Sequence, residues 1–115
     1  MTGYDAVKRA MNLLGYSAEE GERYETNSAS VNGLGIVNQI SSDLGCGIIS
    51  SLSASLEISP EKEEALCYGT AMLLALREGD AEKNRLFAEI YNQKRGTALA
   101  GLTHIKDCLP KVTVG

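Results

Sequence analysis

Residues 59–95 read SPEKEEALCYGTAMLLALREGDAEKNRLFAEIYNQKR, and this stretch decides the fold class. Pro60 suits the first position of a helix, where its missing N–H costs nothing, and Ser59 stands ready to cap it. A run apolar on almost every side follows: Ala65, Leu66, Tyr68, Ala71, Met72, Leu73, Leu74, Ala75 and Leu76. Gly79 stops that helix and Asp80 can cap the next, which leaves a turn of about two residues. The second helix, to Arg95, is amphipathic. Leu86, Phe87, Ile90 and Tyr91 share one stripe, with Glu82, Lys83, Arg85, Glu89 and Lys94 mostly away from it. A helix apolar all round must be covered all round. In a small protein it is either the central core helix or part of a subunit interface.

The remaining composition is compatible with that hairpin as the heart of one domain spanning residues 1–115. A chain of this length buries about two-thirds of the surface that its unfolded form exposes. About a quarter of the residues are Val, Ile, Leu, Met or Phe, enough for one core and too many for general disorder. The net charge is −4 at pH 7, and Lys and Arg never run longer than two together. Such a chain lacks the electrostatic footprint of a general nucleic-acid binder. Cys46, Cys67 and Cys108 are odd in number and far apart, with no CxxC, so they read as reduced thiols, and Cys67 as a small core residue. Met1–Asp5 has no signal-peptide character, and no apolar run approaches the roughly 18 residues of a membrane span. A soluble, cytoplasmic product is expected.

On the N-terminal side, Thr2 or Asp5 can cap a first helix to about Leu14, with Val7, Ala10, Met11 and Leu14 on one face and Gly15 at its end. Residues 16–26 are polar and read mostly as loop. A further helix is expected from about Ser28 to Leu44, carried by Val31, Leu34, Val37, Ile40, Ser41 and Leu44. Gly33 and Gly35 weaken it by roughly 1 kcal/mol each relative to Ala, or else admit a neighbouring helix closely. Residues 45–58 combine glycines and serines, which argue for a connector, with Ile48, Ile49, Leu52, Leu56 and Ile58, which tie it to the core. Gly96 and Gly101 frame an extension of uncertain form beyond the hairpin. The tail, about 103–115, holds Ile105, Leu109, Val112 and Val114 around Pro110 and either folds back or docks on another copy. The fold class read from all this is all-α: a small bundle of four or so helices with a central apolar helix, a helical hairpin and extended loop and tail segments.

Little in the chain supports catalysis. Glu61, Glu63 and Glu64 fall in the first turn or so of the apolar helix, where carboxylates complement the positive end of the dipole, and read as solvated capping charges. His104 is the lone imidazole, without a ligand partner at metal spacing, and no GxSxG surrounds any serine. Gly33-Leu34-Gly35 is an isolated fragment with no strand before it, a poor phosphate cradle. A DNA-reading helix–turn–helix around Gly79 would present Asp80 and Glu82 to phosphates. An antiparallel hairpin packed on its own core is the better reading. No enzymatic activity, cofactor or metal is expected.

What remains is surface. Tyr91-Asn92-Gln93-Lys94-Arg95 reads either as the exposed end of an amphipathic helix, its cations suiting the C-terminal dipole, or as a contact edge for a neighbouring subunit. Arg77 divides in the same way between dipole complement and interfacial ion pair. With Leu109 and Val112 of the tail, Arg77, Tyr91, Lys94 and Arg95 are the candidate subunit-interface residues.

The order of Asn12-Leu13-Leu14-Gly15-Tyr16, Val37-Asn38-Gln39-Ile40 through Asp43-Leu44, Tyr68-Gly69-Thr70-Ala71, Gly79-Asp80 and Phe87-Ala88-Glu89-Ile90-Tyr91-Asn92-Gln93-Lys94-Arg95 resembles the small head–tail connector (adaptor) proteins of tailed bacteriophages. The likeness is to those carried by prophages of Gram-positive bacteria and covers roughly residues 4–110. It implies a helical subunit, made in the host cytoplasm, that forms a ring beneath the portal protein in the virion neck. Such a ring extends the DNA channel and docks neck and tail-completion proteins, and no membrane is involved. DNA passes through without sequence-specific binding, which suits a negative chain. A ring is also the closed solution of a head-to-tail contact. The alternative is a small helical adaptor or regulatory module that binds a partner's amphipathic helix in a groove beside Met72. Cover for Leu73, Leu74 and Leu76 is expected from the first two helices, with loops and tail left for partners.

Overall fold

The computed structural model describes the backbone of residues 1–15 and 29–107 and the side chains of residues 1–15 and 33–100. The expectations for the 16–26 loop, for Val31 and for Leu109, Val112 and the rest of the tail's end lie outside these. The described chain is an all-α bundle of four helices: α1 (Gly3–Leu13), α2 (Ala29–Asp43), α3 (Pro60–Arg77) and α4 (Ala81–Asp107). Helix α3 is central. Helices α1 and α2 pack on it and on each other, while the backbone of α4 approaches only that of α3 closely and reaches α1 and α2 through side chains.

The local signals do what their chemistry requires. Thr2 Oγ1 accepts the Asp5 N–H at 3.1 Å and Asp5 Oδ2 accepts the Thr2 N–H at 3.0 Å, a reciprocal capping box that starts α1. Val7, Ala10, Met11 and Leu14 are all buried, as their spacing predicts. Ser59 accepts the Lys62 N–H at 3.3 Å ahead of Pro60. At the other end of α3 the chain turns through a Schellman motif, with Gly79 at φ +78°. The Gly79 N–H donates to Leu76 O at 3.1 Å and the Asp80 N–H to Ala75 O at 2.9 Å. Asp80 then caps α4 by accepting the Lys83 N–H at 3.0 Å.

The hairpin is antiparallel. Lys94 meets Glu64 at 2.7 Å, the Phe87 ring lies 6.0 Å from that of Tyr68, and the Asn84 amide donates to Met72 O at 2.9 Å. That register brings Pro60 level with about residue 98, so the last nine or so residues of α4, about 13 Å of helix, extend past α3. The stretch after Arg95 that the glycines left uncertain is thus continuous helix.

Two further expectations are corrected. Leu74 is buried and Leu73 half-buried, but Leu76 is 60% exposed: it lies in the last turn before the Gly79 corner, and no described element passes over it. Residues 46–58 are no loose loop left for partners, because Ile49, Leu52 and Leu56 are buried in the main core. The Asn38 side chain grips this strap by its backbone, donating to Ile49 O and accepting the Ile49 N–H, both at 2.9 Å. Ser41 donates to Gly47 O. The first residues of the chain complete the hold: Tyr4 N–H donates to Leu52 O at 2.9 Å, and Met1 O accepts the Leu56 N–H at 2.7 Å. These bonds supply partners to an irregular backbone that belongs to no helix and makes a single isolated β-bridge, Thr2 with Ser55.

Candidate interaction surface

Tyr91 sits where three helices meet. A Cβ built at Gly69 of α3 would lie 2.6 Å from Ile40 Cγ2 and 2.8 Å from Tyr91 Cε1, so the bare glycine is what lets the Tyr91 ring lie against α3. The ring is buried, and its hydroxyl donates to Asp43 Oδ2 at the C-terminal end of α2. Arg95, one turn further along α4, donates Nε to the same oxygen at 2.8 Å. Lys94 turns to the other flank, pairing with Glu64 and standing 5.7 Å above the Tyr68 ring.

The polar end of the hairpin is therefore engaged within the chain. Tyr91 and Arg95 reach α2, and Lys94 reaches α3. Arg77 is exposed in the last turn of α3, where a cation complements the helix dipole. Sequence reasoning missed Asp43, which joins two of these residues. An acid at the negative end of a helix is locally unfavourable, and that misfit was the signal that a cation waited elsewhere.

The electrostatics follow from this geometry. The Tyr91 hydroxyl, and after it Arg95, hold the Asp43 carboxyl below its ordinary value. Burial, reinforced by the Asp43 carboxylate, pushes the Tyr91 phenol above the usual tyrosine range. The hydrogen bond to Glu64 raises Lys94. A depressed acid stabilises the fold above its unfolded value, near 3.9, and that contribution is lost as pH falls through the lower folded value. A raised phenol stabilises the fold below about pH 10 and loses that contribution as pH climbs further. Urea unfolding over a pH series should therefore show that Asp43→Asn flattens part of the acid limb. The remainder includes Asp5, whose bonds to Thr2 also depress it. Tyr91→Phe should remove part of the alkaline limb. An acid limb unchanged in Asp43→Asn would contradict this account.

Burial raises the Cys67 thiol to about 11, so it is inert as a thiolate at neutral pH, a core residue as its position predicts. Among the described residues no group of three or more His, Cys, Asp or Glu is placed to hold a metal ion, and no helix is long and apolar enough to cross a membrane. Among the described residues the large apolar side chains left in solvent are Ile48 at 70%, Leu76 at 60%, Leu86 at 51% and Leu13 at 37%. Leu13, Leu76 and Leu86 come from three helix segments that converge near the Gly79 turn, where Lys83 donates to Leu14 O at 2.9 Å. Compared with protein-family models, with curated proteins and with solved structures, the chain matches none.

Proposed function

We propose that this chain is a structural assembly protein, a head–tail connector subunit of a tailed phage that works through surfaces and carries no active site. The observation that supports this reading is the exposed apolar surface of an otherwise well-packed bundle. Leucines from α1, α3 and α4 stand in solvent near one end, and α4 outruns its hairpin partner at the other. A subunit with exposed apolar surface near one end and a helix that outruns its partner at the other suits head-to-tail closure into a ring. The ring would lie in the virion neck below the portal, extend the DNA channel and receive neck and tail-completion proteins. The adaptor reading draws less support, since α4 already lies beside Met72 and bonds to its carbonyl.

The test mixes the purified chain with the portal protein encoded in the same genome and examines the product by electron microscopy and native mass measurement. Rings of several copies seated on the portal are expected. A free monomer is compatible with assembly on a portal template. Failure to bind any portal or neck protein encoded beside it overturns the proposal.

A further inference from the structure

Helix α4 has two apolar edges to choose from. Its stripe contains Leu86 and Ile90 on one side and Phe87 and Tyr91 on the other, about 100° apart around the axis. Phe87 and Tyr91 are buried, Ile90 is half-buried, and Leu86 is 51% exposed. Apolar packing accounts for part of that choice: the Phe87 ring lies 6.0 Å from that of Tyr68, and the Tyr91 ring lies against Gly69. Helix α2 does not hold α4 by close packing, because among the described residues their backbones stay more than 8 Å apart, Cα to Cα.

What spans that gap is the pair of donors on Asp43: the Tyr91 hydroxyl and the Arg95 guanidinium, one turn apart on α4 and converging on one carboxylate oxygen. Turning α4 to bury Leu86 would carry both donors away from it together. We propose that the Asp43–Tyr91–Arg95 node fixes the rotation of α4 about its own axis and so keeps Leu86 outward. Asp43 is then a positioning residue, adding a directional polar contact to the apolar packing of Phe87 and Tyr91.

Leu86→Cys, in a chain with Cys46 and Cys108 replaced by serine, reports the rotation through the rate at which the introduced thiol reacts with a thiol reagent; buried Cys67 gives little background. Adding Asp43→Ala, or separately Arg95→Gln, should cut that labelling rate to about half or less as a second orientation of α4 becomes populated. The amide resonances of residues 84–98 should double or broaden, with those of α1 unaffected. Asp43 and Arg95 are both partly exposed, so each variant should fold, and the urea midpoint checks that it does. Folded variants that keep the parental labelling rate and a single set of resonances would overturn the proposal, leaving the node a source of stability alone.

Discussion

Leu66→Ala is expected to lower the unfolding free energy by about 3–4 kcal/mol, within the range for deleting a buried leucine side chain. Leu66 is fully buried within the central helix and belongs to the main core, so its removal leaves a hole there. Alanine is itself a good helix former, so the loss belongs to packing and not to propensity. Against a total of about 5–15 kcal/mol for a domain of this kind, the variant should be close to the limit of folding at physiological temperature. Urea denaturation should show a much lower midpoint at an unchanged slope. A loss below about 1 kcal/mol would mean that the centre of α3 is not closely packed.

The second large effect comes from adding atoms. Gly69→Val should destabilise the protein by about 2–4 kcal/mol, because overpacking and a β-branched side chain combine. The first added atom already lies within 3 Å of Ile40 and of the buried Tyr91 ring, and the branch adds more. Gly69→Ala is the sharper measurement. Alanine gains up to about 1 kcal/mol of helix propensity over glycine, but the clash costs about 1–3 kcal/mol, so the sum should be a net loss. Gly35→Ala in α2 is the matched control, since nothing among the described residues lies within 4 Å of a Cβ there. That variant should gain roughly 0.5–1 kcal/mol. One substitution at two helical glycines should thus change sign with the neighbourhood. Ile40→Ala added to Gly69→Ala should recover part of the loss, measured as a coupling energy in a double-mutant cycle. A stabilising Gly69→Ala would overturn the close approach of α3, α2 and α4.

These contrasts mark where the sequence was readable. Caps and stops were legible because they act over three or four residues: Thr2 with Asp5, Ser59 with Pro60, Gly79 with Asp80. So was the face of α1, since four residues at helical spacing have one way to be buried together. The glycines misled in both directions. Gly96 suggested an interruption, yet α4 runs through it, because a cost of about 1 kcal/mol is small beside the burial of Phe87, Tyr91 and Ala98 on the same helix. Gly35 offered room for a close approach and has open space instead. Gly69 drew no attention as a glycine, and it is where three helices meet.

Among the candidate contact residues, the cluster from Tyr91 to Arg95 was visible as an unusual mixture of aromatic and cationic groups. Its partners were not, because Asp43 lies 48 and 52 positions away and no local pattern links them. The strap at 46–58 posed the same difficulty: Ile49, Leu52 and Leu56 tie it to the core as expected while Ile48 stands 70% exposed, and only the reach of Asn38 to Ile49 determined how.

By itself, then, the sequence determined an all-α chain with a central apolar helix leading into a tight hairpin, because helix periodicity, capping and glycine turns are short-range effects written in neighbouring residues. Which sides of that hairpin are covered was decided by tertiary structure alone. Leu76 stays bare because no described element passes over it, and Leu86 because α4 turns Phe87 and Tyr91 inward. Hydrophobicity states that a side chain favours cover, whereas the cover itself arrives from distant parts of the chain.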